Sequence, residues 1–87
     1  MDAAVDNKQV PALMWKTEIY DLNSKQQRMV WRRITLPISR IIDNWIEMGR
    51  WWEGEGAAEL MLADTASGVF LLWHEHNSRQ WYAKPLR

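Results

Sequence analysis

A chain of 87 residues forms one small domain, because it cannot bury two separate cores and hides only ~60% of its surface on folding. Its 11 basic and 11 acidic side chains cancel, which excludes a strongly basic coat for long duplex DNA and excludes a polyacidic tail. The absence of cysteine removes disulfide frameworks, Cys-ligated zinc and thiol chemistry, and points to a reducing, cytoplasmic setting.

In chain order, residues 1–11 (MDAAVDNKQVP) mix small and polar side chains and end in proline, so they read as a disordered lead-in to a single β domain over 12–87. From Met14 to Tyr20 the sequence alternates, with Lys16, Glu18 and Tyr20 on one face and Trp15, Thr17 and Ile19 on the other, as a half-buried strand does. Asp21 to Gln26 supplies turn residues, and Arg28 to Trp31 returns to extended character, giving a hairpin.

Two readings stand for residues 37–48. Ile38, Ile41, Ile42, Trp45 and Ile46 recur at helical spacing, with Pro37 in the first turn and Gly49 as a stop, which predicts one short amphipathic helix. The crowded β-branched residues, Ile34, Thr35, Ile38, Ile41, Ile42 and Ile46, predict instead a long bent strand carrying a bulge. Periodicity alone leans towards the helix.

After the loop GRWWEGEG, the runs Glu59 to Asp64, Val69 to Glu75 and Gln80 to Lys84 are separated by turn sequences at Ala66 to Gly68 and Asn77 to Arg79, a three-stranded antiparallel meander. Val69 to Trp73 is apolar on both faces, as in a strand covered from both sides, and it is the longest apolar run, far short of the ~20 residues that a membrane-spanning helix needs. The whole predicts an all-β domain of about five or six strands, a small antiparallel meander or SH3-like barrel.

Seven tryptophans are the outlying feature of the composition. Trp31, Trp45, Trp73 and Trp81 are expected to supply core, since each indole can bury on the order of 200 Å². Trp51 and Trp52 are the better surface candidates: in a strand, adjacent side chains face opposite ways, so one would face outward. The charges are also segregated. Lys25, Arg28, Arg32, Arg33 and Arg40 lie between Leu22 and Ile42 without an acid, whereas Asp43, Glu47, Glu53, Glu55, Glu59 and Asp64 follow with only Arg50 among them. Trp31, Arg32 and Arg33 therefore make a basic, aromatic corner able to contact phosphate and stack a base, unless the arginines pair with the acidic segment across the fold.

Chemistry-bearing motifs are sparse. His74 and His76 would share a strand face and could converge on a divalent ion with a third ligand from elsewhere, although solvated polar residues are the commoner meaning of such a pair. The carboxylates around Trp51 and Trp52 read as a solvated loop rather than an acid/base dyad, and no phosphate-cradling glycine loop or nucleophile elbow occurs.

The segment Trp31 to Gly56, WRRITLPISRIIDNWIEMGRWWEGEG, resembles the central motif of a small, uncharacterised, tryptophan-rich bacterial domain family with a W-x-G-R hairpin, a D-x-W element and a G-x-W-W-x-G-E block. Trp31, Ile38, Ile41, Asp43, Trp45, Gly49, Trp51, Trp52, Gly54 and Glu55 fill those places. Arg33 stands where the hairpin glycine is usual, and the last strands, VFLLWHEH and WYAKPLR, depart from the family's tyrosine and arginine pattern. The resemblance implies strand rather than helix over 37–48. It also implies an accessory role in translesion synthesis, since such domains are often encoded beside Y-family error-prone DNA polymerases. The resulting expectation is a non-enzymatic binding module without a cofactor or membrane contact, docking a protein through Trp31, Arg32, Arg33, Trp51, Trp52, Glu53 and Glu55. The alternatives are a weak single-stranded nucleic-acid binder using the same corner, and thirdly the His74/His76 metal site.

Overall fold

The computed structural model describes residues 14–48, 56–75 and 78–86, and these form an all-β structure. Six strands, β1 (Trp15–Tyr20), β2 (Arg28–Trp31), β3 (Ile34–Met48), β4 (Ala57–Thr65), β5 (Gly68–Glu75) and β6 (Trp81–Pro85), follow one another around a closed barrel, every neighbouring pair antiparallel. Closure comes from β1 pairing with both β2 and β6, where Thr17 lies opposite Trp31 on one side and Trp81 on the other. Closing the sheet leaves no open edge around the barrel. The lead-in 1–11 lies outside the described residues.

The barrel interior follows from strand alternation. Cross-strand partners Ile19 and Met29, Met29 and Leu36, Ala63 and Phe70, and Leu72 and Ala83 all face inward. Met29, Ala63, Leu72 and Ala83 are completely buried, and Phe70, Ile38, Met61 and Leu36 nearly so. Alanine facing methionine, leucine and phenylalanine suits a narrow barrel, where large and small side chains must alternate to fill the space. Each fully buried methionine or leucine contributes about 1.5–3 kcal/mol. Thr17 and Thr65 are the buried polar residues among those described, satisfied by their hydroxyls donating to the Val30 carbonyl at 2.7 Å and the Gly68 carbonyl at 2.8 Å.

The core is thus aliphatic apart from Phe70, contrary to the expectation placed on four tryptophans. Trp31 and Trp81 only pack against its margins, Trp73 is half-buried, and Trp45 is exposed. An indole is too large for the barrel axis, so these rings close its ends or lie on its outside.

The short helix over 37–48 is corrected to strand. β3 runs unbroken for 15 residues and carries two register shifts, at Ile38/Arg40 and Ile41/Asp43. Ile38, Ile41, Asn44, Ile46 and Met48 lie opposite Thr65, Ala63, Met61, Glu59 and Ala57, which are alternate residues of one β4 face. Each bulge inserts one residue, so the strand's period of two becomes three across it and imitates helical spacing.

Candidate functional site

The β2–β3 hairpin closes through Arg32 and Arg33, both in the left-handed region at φ 52° and 71°. A two-residue hairpin with positive φ at both central positions is the type I′ turn, which fits the right-handed strand twist and strongly favours Asn-Gly. Two arginines there carry a steric cost of about 1–2 kcal/mol each. The neighbouring strands fix the conformation, because Trp31 and Ile34 are a ladder pair directly beneath the turn.

This turn thrusts the arginines towards the aromatic rim. The Arg32 guanidinium carbon lies 4.5 Å from the Trp15 ring centroid and 5.5 Å from that of Trp31, so one cation spans two indole faces. Trp31 is held from below: its Nε1–H donates to the Ala83 carbonyl at 3.3 Å, and its ring meets Phe70 edge-on, with centroids 4.9 Å apart. Trp15 is the free member, 52% exposed. Trp15, Trp31, Arg32, Lys84, Pro85 and Leu86 line a shallow pocket of about 480 Å³ at this end of the barrel.

A second, larger groove of about 660 Å³ crosses β1 on its outer face. Arg32 and Arg33 border it from the β2 side, Arg79 from the β6 side, and Lys16, Glu18 and Tyr20 form its floor. The Tyr20 hydroxyl donates to Glu18 Oε1 at 2.7 Å, which raises the tyrosine's pKa above its ordinary value of 10.

Of the residues singled out in the sequence, Trp31, Arg32 and Arg33 do gather at one corner, and Trp51, Trp52, Glu53 and Glu55 lie outside the described residues. The cross-fold ion pairs are limited. Arg40 meets Asp64 of the acidic segment at 3.5 Å, and Arg28 meets Asp21 in its own hairpin at 2.8 Å. Among the described residues Arg32 and Arg33 form no ion pair. Trp15, Lys16 and Arg79 are candidates that the sequence reading missed: β1–β2 pairing brings Trp15 and Lys16 to the arginine turn, and β1–β6 pairing brings Arg79 to the same strand.

His74 has its own local fixtures. Its ring stacks on Trp81 with centroids 4.2 Å apart, Nε2–H donates to the Ser78 carbonyl at 2.8 Å, and Nδ1 faces Glu59 Oε1 at 3.9 Å. Those contacts occupy the ring for a structural purpose. His76 lies outside the described residues, and among them no group of three or more potential ligands assembles. Nor, among the described residues, is any helix long and apolar enough to cross a membrane.

No protein-family model, curated protein or solved structure matches the chain.

Proposed function

We propose that the chain is a non-enzymatic binding module that docks a protein partner through the Trp15, Trp31 and Arg32 corner. The carrying observation is one guanidinium shared between two indoles at an exposed barrel rim. Tryptophan and arginine are the residue types that most often anchor interfaces, and a partner that covers Trp15 would desolvate the Arg32 contact and strengthen it. The pocket beside them, floored by Pro85 and Leu86, offers an apolar seat for a partner side chain.

The resemblance supplies the partner class, a Y-family error-prone DNA polymerase, and with it a cytoplasmic accessory role in translesion synthesis.

The test is a direct binding measurement between the pure protein and a purified Y-family polymerase. Trp15→Ala and Arg32→Ala should each weaken binding by roughly 30-fold, the scale of an interface hot spot. Both variants alter rim side chains and should keep the wild-type melting profile to within a few degrees. No binding by the wild type, or binding indifferent to both substitutions, rejects the reading.

A further inference from the structure

We propose that the groove across β1 is a track for single-stranded nucleic acid, with Lys16, Arg33 and Arg79 contacting successive phosphates and Trp15 stacking a base. The proposal goes beyond protein docking and does not require it.

The argument begins with register. Lys16, Glu18 and Tyr20 occupy the outward face of β1, since Thr17 and Ile19 turn inward. On one flank Trp31 pairs with Thr17, so the turn that follows it places Arg32 and Arg33 beside Lys16. On the other flank Trp81 also pairs with Thr17, so Arg79 comes alongside the far half of β1. Four cations from three separate segments therefore border one open channel, and closure of the barrel fixes their arrangement.

The acid within the channel is Glu18, and its carboxylate already accepts the Tyr20 hydroxyl. The six residues of β1 extend about 20 Å, which accommodates a few nucleotides, the lower end of the site sizes seen on small β-barrel binders. Arg32 is held on the indoles, while Lys16, Arg33 and Arg79 form no ion pair among the described residues and are the cations offered to phosphates. Trp15 lies in the adjoining pocket, which shares Arg32 with the groove, and its exposed ring, held by Arg32, has the amphipathic face on which a base leaving the track can stack. The strained Arg-Arg turn gains a reason here, because Asn-Gly would close the hairpin more easily but would supply no charge.

Single strand is favoured over duplex by the same features. A chain of zero net charge has no general attraction to the dense charge of a double helix, whereas a local track with an aromatic platform needs unstacked bases.

The experiment is a titration of the whole protein with a fluorescein-labelled oligo-dT of about twelve nucleotides, reading label anisotropy and tryptophan fluorescence together. Three phosphate contacts predict a slope of about −2 in log affinity against log salt, hence roughly 15-fold weaker binding between about 50 and about 200 mM salt. Indole emission should be quenched on binding, and Trp15→Ala should cost about tenfold. The double charge reversal Lys16→Glu, Arg79→Glu should abolish binding. The milder Lys16→Gln, Arg79→Gln pair, which spares folding if the reversal does not, should flatten the salt slope by more than one unit.

No binding at low salt overturns the proposal, as does a salt slope unchanged in the glutamine pair. Equal binding to the corresponding duplex without quenching also overturns it. Lys16 and Arg79 lie outside the docking corner, so the same variants should bind polymerase as the wild type does. A wild-type protein that binds polymerase but no oligonucleotide therefore fails the groove alone, and a wild-type protein that binds oligonucleotide but no polymerase fails the docking reading and leaves the groove standing.

Discussion

The β4–β5 and β2–β3 hairpins solve the same chain-reversal problem in opposite ways. In the first, Gly68 takes φ 110°, the Thr65 hydroxyl donates to the Gly68 carbonyl at 2.8 Å, and the Ser67 N–H donates to Thr65 Oγ1 at 3.1 Å. Every local choice there serves closure: a glycine where the backbone needs one, and a buried threonine that satisfies the turn's polar groups. In the second, two arginines occupy left-handed positions that glycine or asparagine would fill with less strain, and Arg32 is directed onto tryptophans rather than into the turn. A costly residue at a position that would take an easier one directs attention to its side chain, and this strain is what the binding role proposed for the β2–β3 turn rests on.

The largest expected effect tests the first half of that contrast. Gly68→Val places a β-branched residue at φ 110°, where its Cβ clashes with the backbone, and should destabilise by about 2–3 kcal/mol. For a domain of this size that corresponds to a melting temperature lower by roughly 10–20 °C. Thermal denaturation followed by circular dichroism reads it directly. A shift within error would mean that the turn relaxes freely, and the β4–β5 hairpin would lose its standing as the closure-driven member of the pair.

A smaller effect of opposite sign tests the second half. Arg33→Gly relieves a left-handed arginine and should stabilise by about 0.5–1 kcal/mol, after allowing for the greater unfolded-state freedom of glycine. Arg32→Gly removes the same strain but also gives up two cation–π contacts worth about 0.5–1 kcal/mol each at an exposed site, so it should be neutral or slightly destabilising. Chemical denaturation of the two variants side by side separates strain from contact. Equal responses would show that the indoles contribute nothing to holding Arg32.

Much of the fold was legible because its signals are local. The turn residues Asp21 to Gln26 and Ala66 to Gly68, the alternation from Trp15 to Ile19 and the run Val69 to Trp73 all appear where the sequence places turns and strands. Residues 37–48 sustained two readings because two bulges convert the apolar spacing of β3 from two to three and imitate a helix, while the crowded β-branched residues pointed to the bulged strand that is found. Trp31, Arg32 and Arg33 were legible as a corner because they are consecutive and sit on a hairpin. Trp15 was not: alternation places it on the inward face with Thr17, but it begins β1 at the barrel's rim, where that face opens to solvent. Lys16 and Arg79 meet only through β1–β6 closure, and no feature near either residue announces a partner that distant in the chain.

The smallest effect concerns Tyr20, which ends β1 at the far side of the groove from the arginine turn. Its hydroxyl holds its proton more firmly than usual, first because it donates to Glu18 Oε1 and then because desolvation and the carboxylate's charge act in the same direction; the Arg28 guanidinium, 5.0 Å from the ring centroid, works against them. A phenol whose pKa is raised on folding contributes stability that is complete below its unfolded value near 10 and fades as pH rises through the higher folded value. Glu18→Gln removes the ionised acceptor, so Tyr20 should then titrate closer to 10, as read by the rise in tyrosinate absorbance on alkaline titration. The substitution also leaves no acid among the described residues of the groove floor, so oligonucleotide affinity should rise, while the melting temperature at neutral pH falls slightly because the stability tied to the raised Tyr20 pKa is fully present there and is lost. If the titration is unmoved, the Tyr20–Glu18 bond is not formed in solution and Glu18 faces the track as a bare charge. In that case the gain in affinity on removing it should be larger still.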